Sequence, residues 1–116
     1  MKKYFLLTGI AIAALVLPNC NPSKKAAASN IPKSTYASHV STVIMNNCTP
    51  CHIPAKGGKI KPYDNFANAK SDIDEIIRRI ELNPGDKGYM PFKKPKLSDS
   101  AIAVFKKWRD DGMLEN

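Results

Sequence analysis

Val40-Ser41-Thr42-Val43-Ile44-Met45-Asn46-Asn47-Cys48-Thr49-Pro50-Cys51-His52 runs an apolar helical stripe directly into two thiols and an imidazole. Tyr36, Val40, Val43 and Ile44 recur at spacings of four, three and one, which puts them on one helical face. The spacing predicts a helix from about Ser34 to Asn47, with Ser34 as its N-cap. Its β-branched residues lower intrinsic helix propensity, so packing has to hold it.

Two more helical patterns follow. Ile73, Ile76, Ile77 and Ile80 form a stripe within a helix predicted over about Asn65 to Leu82. Asp72, Asp74 and Glu75 precede Arg78 and Arg79, the charge order a helix dipole favours. Asn83-Pro84-Gly85 ends that helix. The third is predicted from about Ser98 to Asp111, with Ser98 as N-cap, Asp99 in the first turn and Gly112 closing it. Ile102, Phe105 and Trp108 line one side of it. No alternating run is long enough for a strand, and there is no internal repeat. The fold class expected is therefore all-α: three main helices joined by two long loops, His52 to Asp64 and Asn83 to Leu97. Long loops in so small a domain need something to pack on, and a large flat apolar cofactor meets that need.

Cys48-Thr49-Pro50-Cys51-His52 fits the C-x-x-C-H pattern of c-type haem attachment. In that chemistry two thiols add across the two haem vinyl groups as thioethers, and the adjacent His is aimed at the iron. Three other uses of the motif compete. Zinc needs a second pair of ligands, and Cys20 and His39 are the only other Cys and His. A thioredoxin-like dithiol suits Cys-Thr-Pro-Cys, but that motif follows a strand in a βαβ unit. A structural disulfide here would close a very short loop, with little benefit.

A haem iron held by one His takes a sixth ligand, commonly Met in electron-transfer haems. Met90 is the candidate, in the loop Gly88-Tyr89-Met90-Pro91-Phe92; its other reading is a loop residue packed in the core. Met45 is tied to the same side as Cys48, and Met113 trails the last helix. His39 lies on the helix leading into Cys48 and reads as a surface or half-buried residue.

The N-terminus carries a different signal. Lys2 and Lys3 precede an uncharged, mostly apolar run from Tyr4 to Leu17. That run is short for a membrane span, which needs roughly 20 residues, and suits a secretory signal peptide over residues 1–19. An uncleaved anchor is the alternative. Leu17-Pro18-Asn19-Cys20 resembles a bacterial lipobox, although Pro18 and Asn19 stand where small residues are usual. Cys20 is the lipidation candidate, and cleavage after Ala28 is the competing site. Residues 20–33 are rich in Asn, Pro, Ser, Lys and Ala and read as a flexible tether. The domain itself is expected over residues 34–116. The expected location is outside the cytoplasm: periplasmic, or on the outer face of a membrane through a lipid anchor.

Those assignments leave roughly 80 residues to fold, a size at which staples, metals or cofactors usually help. The full chain of 116 residues excludes a large multi-domain enzyme and a multi-span membrane protein. Its 43% hydrophobic content permits a core, and its formal charge is +8. Export makes nucleic acid an implausible partner despite that charge.

Together these features resemble the class I monohaem c-type cytochromes over about Tyr36 to Gly112. Val40, Ile44 and Cys48 resemble the family's first helix running into its haem motif. Gly57-Gly58 is similar to the glycine-rich turn that often follows, and Met90-Pro91 to the Met-Pro pair of the distal ligand. Leu97-Ser98 through Trp108 to Gly112 resembles the C-terminal helix. The resemblance implies one haem c per chain, thioethers from Cys48 and Cys51, His52 as proximal and Met90 as distal iron ligand, and crossed first and last helices. It also implies a loop proline whose carbonyl bonds the proximal His; Pro54 and Pro62 both qualify. Phe92, Lys93 and Lys94 depart from the small or proline residues common after Met-Pro.

The function expected is a one-electron carrier with no catalytic residue, working as a monomer with redox protein partners. Lys56, Lys59, Lys61, Lys87, Lys93, Lys94 and Lys96 fall in the two loops, where they would steer the chain to acidic partners. An ordinary solvated lysine surface explains them equally well. The alternatives are a haem enzyme or gas sensor with a labile sixth ligand, and a thiol–disulfide exchange protein.

Overall fold

The computed structural model of the protein describes residues 31–116. The expected signal peptide, Cys20 and most of the tether lie outside the described residues. A π-helical turn, Tyr36–Val40, runs straight into helix α1, Ser41–Asn47. Thr35 caps this unit: its side chain accepts a hydrogen bond from the Ser38 amide at 3.2 Å. The sequence put the cap at Ser34. Instead Ser34 is buried, and its amide donates to Asp111 Oδ2 at 2.6 Å. The cap therefore falls one residue on, at Thr35, while the Ser34 backbone is tied to Asp111.

Helix α1 ends at Cys48, whose amide closes the last turn on the Ile44 carbonyl at 2.8 Å. A single 3-10 turn, Pro54–Lys56, interrupts the first loop. The helix expected over about Asn65 to Leu82 is two helices, α2 (Phe66–Ser71) and α3 (Ile73–Glu81). Asn65 caps α2 by accepting from the Asn68 amide at 2.9 Å. The break is at Asp72, whose φ of −122° leaves the helical region. Its carboxylate is engaged by Lys61 and Tyr63 of the preceding loop, a competition invisible to helical periodicity. Helix α4, Asp99–Asp110, agrees with the sequence: Ser98 caps it through the Ala101 amide at 3.2 Å, and Gly112 leaves it with φ +96°. Among the described residues there are no strands, only an isolated parallel bridge between Thr35 and Leu114. The chain is all-α.

The core gathers Val40 and Ile44 from the first helical unit and Phe105 and Trp108 from α4, all essentially without solvent contact. Burying each such side chain contributes about 1.5–3 kcal/mol. Tyr36, Phe66 and Trp108 form an aromatic triangle with ring centroids 6.0–6.2 Å apart. The tail after α4 closes over it. Trp108 Nε1 donates to the Leu114 carbonyl at 2.8 Å, and the Tyr36 amide donates to that same carbonyl at 2.9 Å. One carbonyl thus ties the start of the first helix to the end of the last. Helix α3 lies against α4, with Ile73, Ile76, Ile77 and Ile80 buried.

Candidate cofactor site

A cavity of about 380 Å³ opens beside the end of α1. Four parts of the chain line it, one of them the stretch with Ile60, Lys61 and Tyr63. The turn after α1 contributes Cys48, Cys51 and His52; α3 contributes Ile76, Arg79 and Ile80; the second loop contributes Met90, Pro91, Phe92 and Leu97. Most of these surfaces are apolar, and the volume is in the range of small-molecule and cofactor sites. All four cofactor-binding residues read from the sequence therefore border one cavity. Met45 and Met113 do not border it, and His39 is exposed, with Nδ1 accepting from the Thr35 amide at 3.1 Å.

The first loop builds a rigid turn around His52. The His52 amide bonds the Cys48 carbonyl at 3.1 Å, and the Ile53 amide bonds the Pro50 carbonyl at 3.0 Å. Ile53 is buried beneath the turn. The two glycines act differently. Gly57 takes φ +85° to end the 3-10 turn, where an L residue is strained. Gly58 presses against the motif: a Cβ there would stand 2.5 Å from the carbonyl oxygens of Pro50 and Cys51. Glycine-rich character was legible in the sequence; the reason for the second glycine was not.

The His52 ring is oriented from residues 61–63. Nδ1 lies 2.7 Å from the Lys61 carbonyl oxygen, so it is the protonated nitrogen and Nε2 keeps its lone pair. This corrects the expectation of Pro54 or Pro62, because the carbonyl belongs to the residue preceding Pro62. Tyr63 stacks on the imidazole, centroids 4.5 Å apart and planes 14° from parallel. Neither Lys61 nor Tyr63 was singled out for this from the sequence. An aromatic eleven residues after the His carries no motif, so nothing local marks it.

The second loop is placed by the end of α3. A helix leaves its last carbonyls without intrahelical partners. The Arg79 carbonyl is satisfied by the Met90 amide at 3.2 Å, and the Glu81 carbonyl by Lys96 Nζ at 2.8 Å. Tyr89, buried, donates its hydroxyl to the Lys94 carbonyl at 3.1 Å and folds the loop on itself. Lys94 Nζ reaches across to the Thr49 carbonyl at 2.7 Å, joining the two loops.

Charge is confined to part of the cavity lining. Glu75 accepts from Arg78 and Arg79 at 2.6–2.8 Å, and these bonds hold its carboxyl down to about 2. Burial alone would raise the Asp72 carboxyl, but the bonds from Lys61 and Tyr63 outweigh it and hold Asp72 below the usual carboxylate range. Burial pushes the Cys48 thiol up to about 11, only partly offset by Lys94. Of the seven loop lysines, Lys61 and Lys94 border the cavity. Among the described residues no three His, Cys, Asp or Glu side chains gather around one point.

No protein-family model matches the chain, and neither a curated protein nor a solved structure does.

Proposed function

We propose that the protein is an exported one-electron carrier that holds one haem c by thioethers at Cys48 and Cys51, with His52 and Met90 as axial ligands. The observation that carries this reading is the meeting of all four side chains at one largely apolar cavity, with His52 Nδ1 already committed to the Lys61 carbonyl. That commitment leaves Nε2 as the lone-pair nitrogen, which is what an iron ligand has to offer. The bound haem supplies reversible one-electron chemistry at its iron. The chain's own residues do the rest. Ile76, Ile80 and Leu97 give the cavity an apolar wall. The Lys61 carbonyl and the Tyr63 ring hold the imidazole in one orientation. The Arg79 carbonyl holds the Met90 backbone at the cavity edge.

The dithiol alternative is disfavoured by two features. An exchange thiol is activated by a lowered pKa, whereas Cys48 is pushed the other way. The segment leading into the motif is also a helix rather than a strand. The lysines of the two loops fit docking to acidic redox partners, with the chain monomeric and periplasm-facing, on a lipid anchor where Cys20 is modified.

The test is the optical spectrum of the mature chain made in a host with haem-attachment machinery. The expected result is a sharp c-type reduced spectrum and the weak long-wavelength band of Met–iron ligation when oxidised. Met90→Ala should abolish that band while the covalent haem stays. A haem spectrum lacking the band in the unmutated chain would favour an open or bis-His site. A colourless chain with intact attachment machinery would overturn the reading in favour of a dithiol.

A further inference from the structure

Residues 61–63 hold His52 in three ways. The Lys61 carbonyl accepts from Nδ1 at 2.7 Å, the Tyr63 amide donates to the His52 carbonyl at 2.9 Å, and the Tyr63 ring stacks on the imidazole. The strap therefore sets the ring's plane and its protonated nitrogen. What sets the strap lies on another element. At the break between α2 and α3, Asp72 Oδ1 accepts from Lys61 Nζ at 2.5 Å and Oδ2 accepts from the Tyr63 hydroxyl. One carboxylate thus grips the first and last residues of the strap. Tyr36 adds a second tie, its hydroxyl donating to the Tyr63 carbonyl at 3.0 Å.

We propose that Asp72 is a positioning residue for His52: through Lys61 and Tyr63 it fixes the carbonyl and the ring that orient the imidazole. The inference rests on the reading of His52 as an iron ligand. Burial decides which grip matters more. The Asp72 side chain is 11% exposed and Tyr63 7%, but the Lys61 side chain is 61% exposed. An ion pair with so exposed a partner contributes little. The Tyr63–carboxylate bond is charge-assisted and shielded, so it carries most of the constraint. The break in the helix has a use on this view. An unbroken helix would need helical backbone at Asp72, and the observed grip occurs where that backbone is abandoned.

The strap acts on the ring that would face the iron, and hydrogen bonding behind an axial His is one of the levers on its potential. Asp72→Asn keeps the size of the side chain and weakens both bonds. The experiment follows the exchange with solvent of the His52 Nδ1 proton, by NMR, in the reduced haem-loaded chain. The same samples are equilibrated with a redox mediator to read the reduced-to-oxidised ratio. Asp72→Asn should speed the ring-proton exchange about tenfold and change the ratio about threefold. Tyr63→Phe, which keeps the stack and loses the hydroxyl, should move both in the same direction. Asp111→Asn is the control, because Asp111 bonds Ser34 and Lys107 without contacting the strap. It should lower stability and leave both readouts unchanged.

Unchanged exchange and ratio in Asp72→Asn would overturn the proposal, as would equal effects in Asp111→Asn. Should Asp72→Asn not fold, Tyr63→Phe decides, and unchanged readouts there overturn it too. A chain that takes up no haem refutes the functional reading instead. The ring proton is then followed in the haem-free full chain, where the same comparison of variants supports or overturns the clamp.

Discussion

The two ends of the first helical unit meet opposite surroundings. At its start, Tyr36 and Val40 lie among Phe66, Phe105 and Trp108, where side chains fill the space and the Leu114 carbonyl fastens both termini. At its end, Cys48 opens on a cavity whose edges are set by backbone: a glycine pressed on carbonyls, a loop amide on a helix-end carbonyl, a His on a loop carbonyl. The first region is closed by packing, which is non-directional and sums over area. The second is shaped by hydrogen bonds, which are directional and fix positions more than they add stability. The contrast assigns global stability to the aromatic seam and the placement of the proposed ligands to the cavity side.

The strongest way to break this contrast is to exchange the two kinds of damage. Trp108→Ala should cost about 3–5 kcal/mol in denaturant unfolding. The optical spectrum of the molecules that remain folded should stay that of the unmutated protein. Ile76→Ala, on the cavity lining, should cost only about 2–3 kcal/mol but, if the proposed haem is bound, alter its spectrum or potential. The contrast fails if Trp108→Ala shifts the spectrum as much as Ile76→Ala does.

A smaller effect sharpens the backbone argument. Gly58→Ala forces a Cβ to 2.5 Å from two carbonyl oxygens, with backbone on both sides unable to swing away. It should cost about 2–3 kcal/mol in unfolding. Gly57→Ala meets no neighbouring atom and is strained only by its positive φ, so about 1 kcal/mol is expected. Equal midpoints for the two variants would show that the close approach to the motif is not what the second glycine serves.

The smallest expected effect is on pH. Asp72 and Glu75 border the cavity, and Asp111 fastens the seam through Lys107 and Ser34. All three carboxyls sit below their ordinary values in the folded chain. A depressed folded value means that the unfolded chain binds protons first as acid is added. The contribution is therefore complete above about pH 5, past the ordinary carboxylate range, and is lost as the pH falls toward the folded values, about 2 for Glu75. Unfolding midpoints measured across pH 5 to about 2 should fall steadily. Glu75→Gln should flatten part of that slope by lowering the midpoint near neutrality by the same small amount, since its partners are exposed arginines, and leave the midpoint near pH 2 that of the unmutated chain.

Much of this contrast could be anticipated. The helix from Asp99 and its Ser98 cap are local matters of periodicity and capping, and the structure has them where the pattern puts them. Cys48, Cys51 and His52 are neighbours in the chain, so their meeting needs no tertiary argument. Two errors share a cause. Ser34 has the chemistry of a cap and Asp72 the pattern of a helix interior, yet the cap is Thr35, with the Ser34 backbone tied to Asp111, and the Asp72 carboxylate is drawn to Tyr63 across a loop. Periodicity weighs a residue against its helical neighbours only, so it is blind to such competition.

An all-α domain with a C-x-x-C-H turn at the end of its first helix can be read off the residues alone, because 3.6-residue periodicity, capping and motif spacing are properties of short segments. It took the packed fold to bring Met90 rather than Met45 or Met113 to the same cavity as His52, and to set Lys61 rather than a proline against the imidazole. Those outcomes depend on which carbonyls are left unpaired where α3 ends and the first loop closes. That is settled by where distant segments pack, and no short stretch of residues records it.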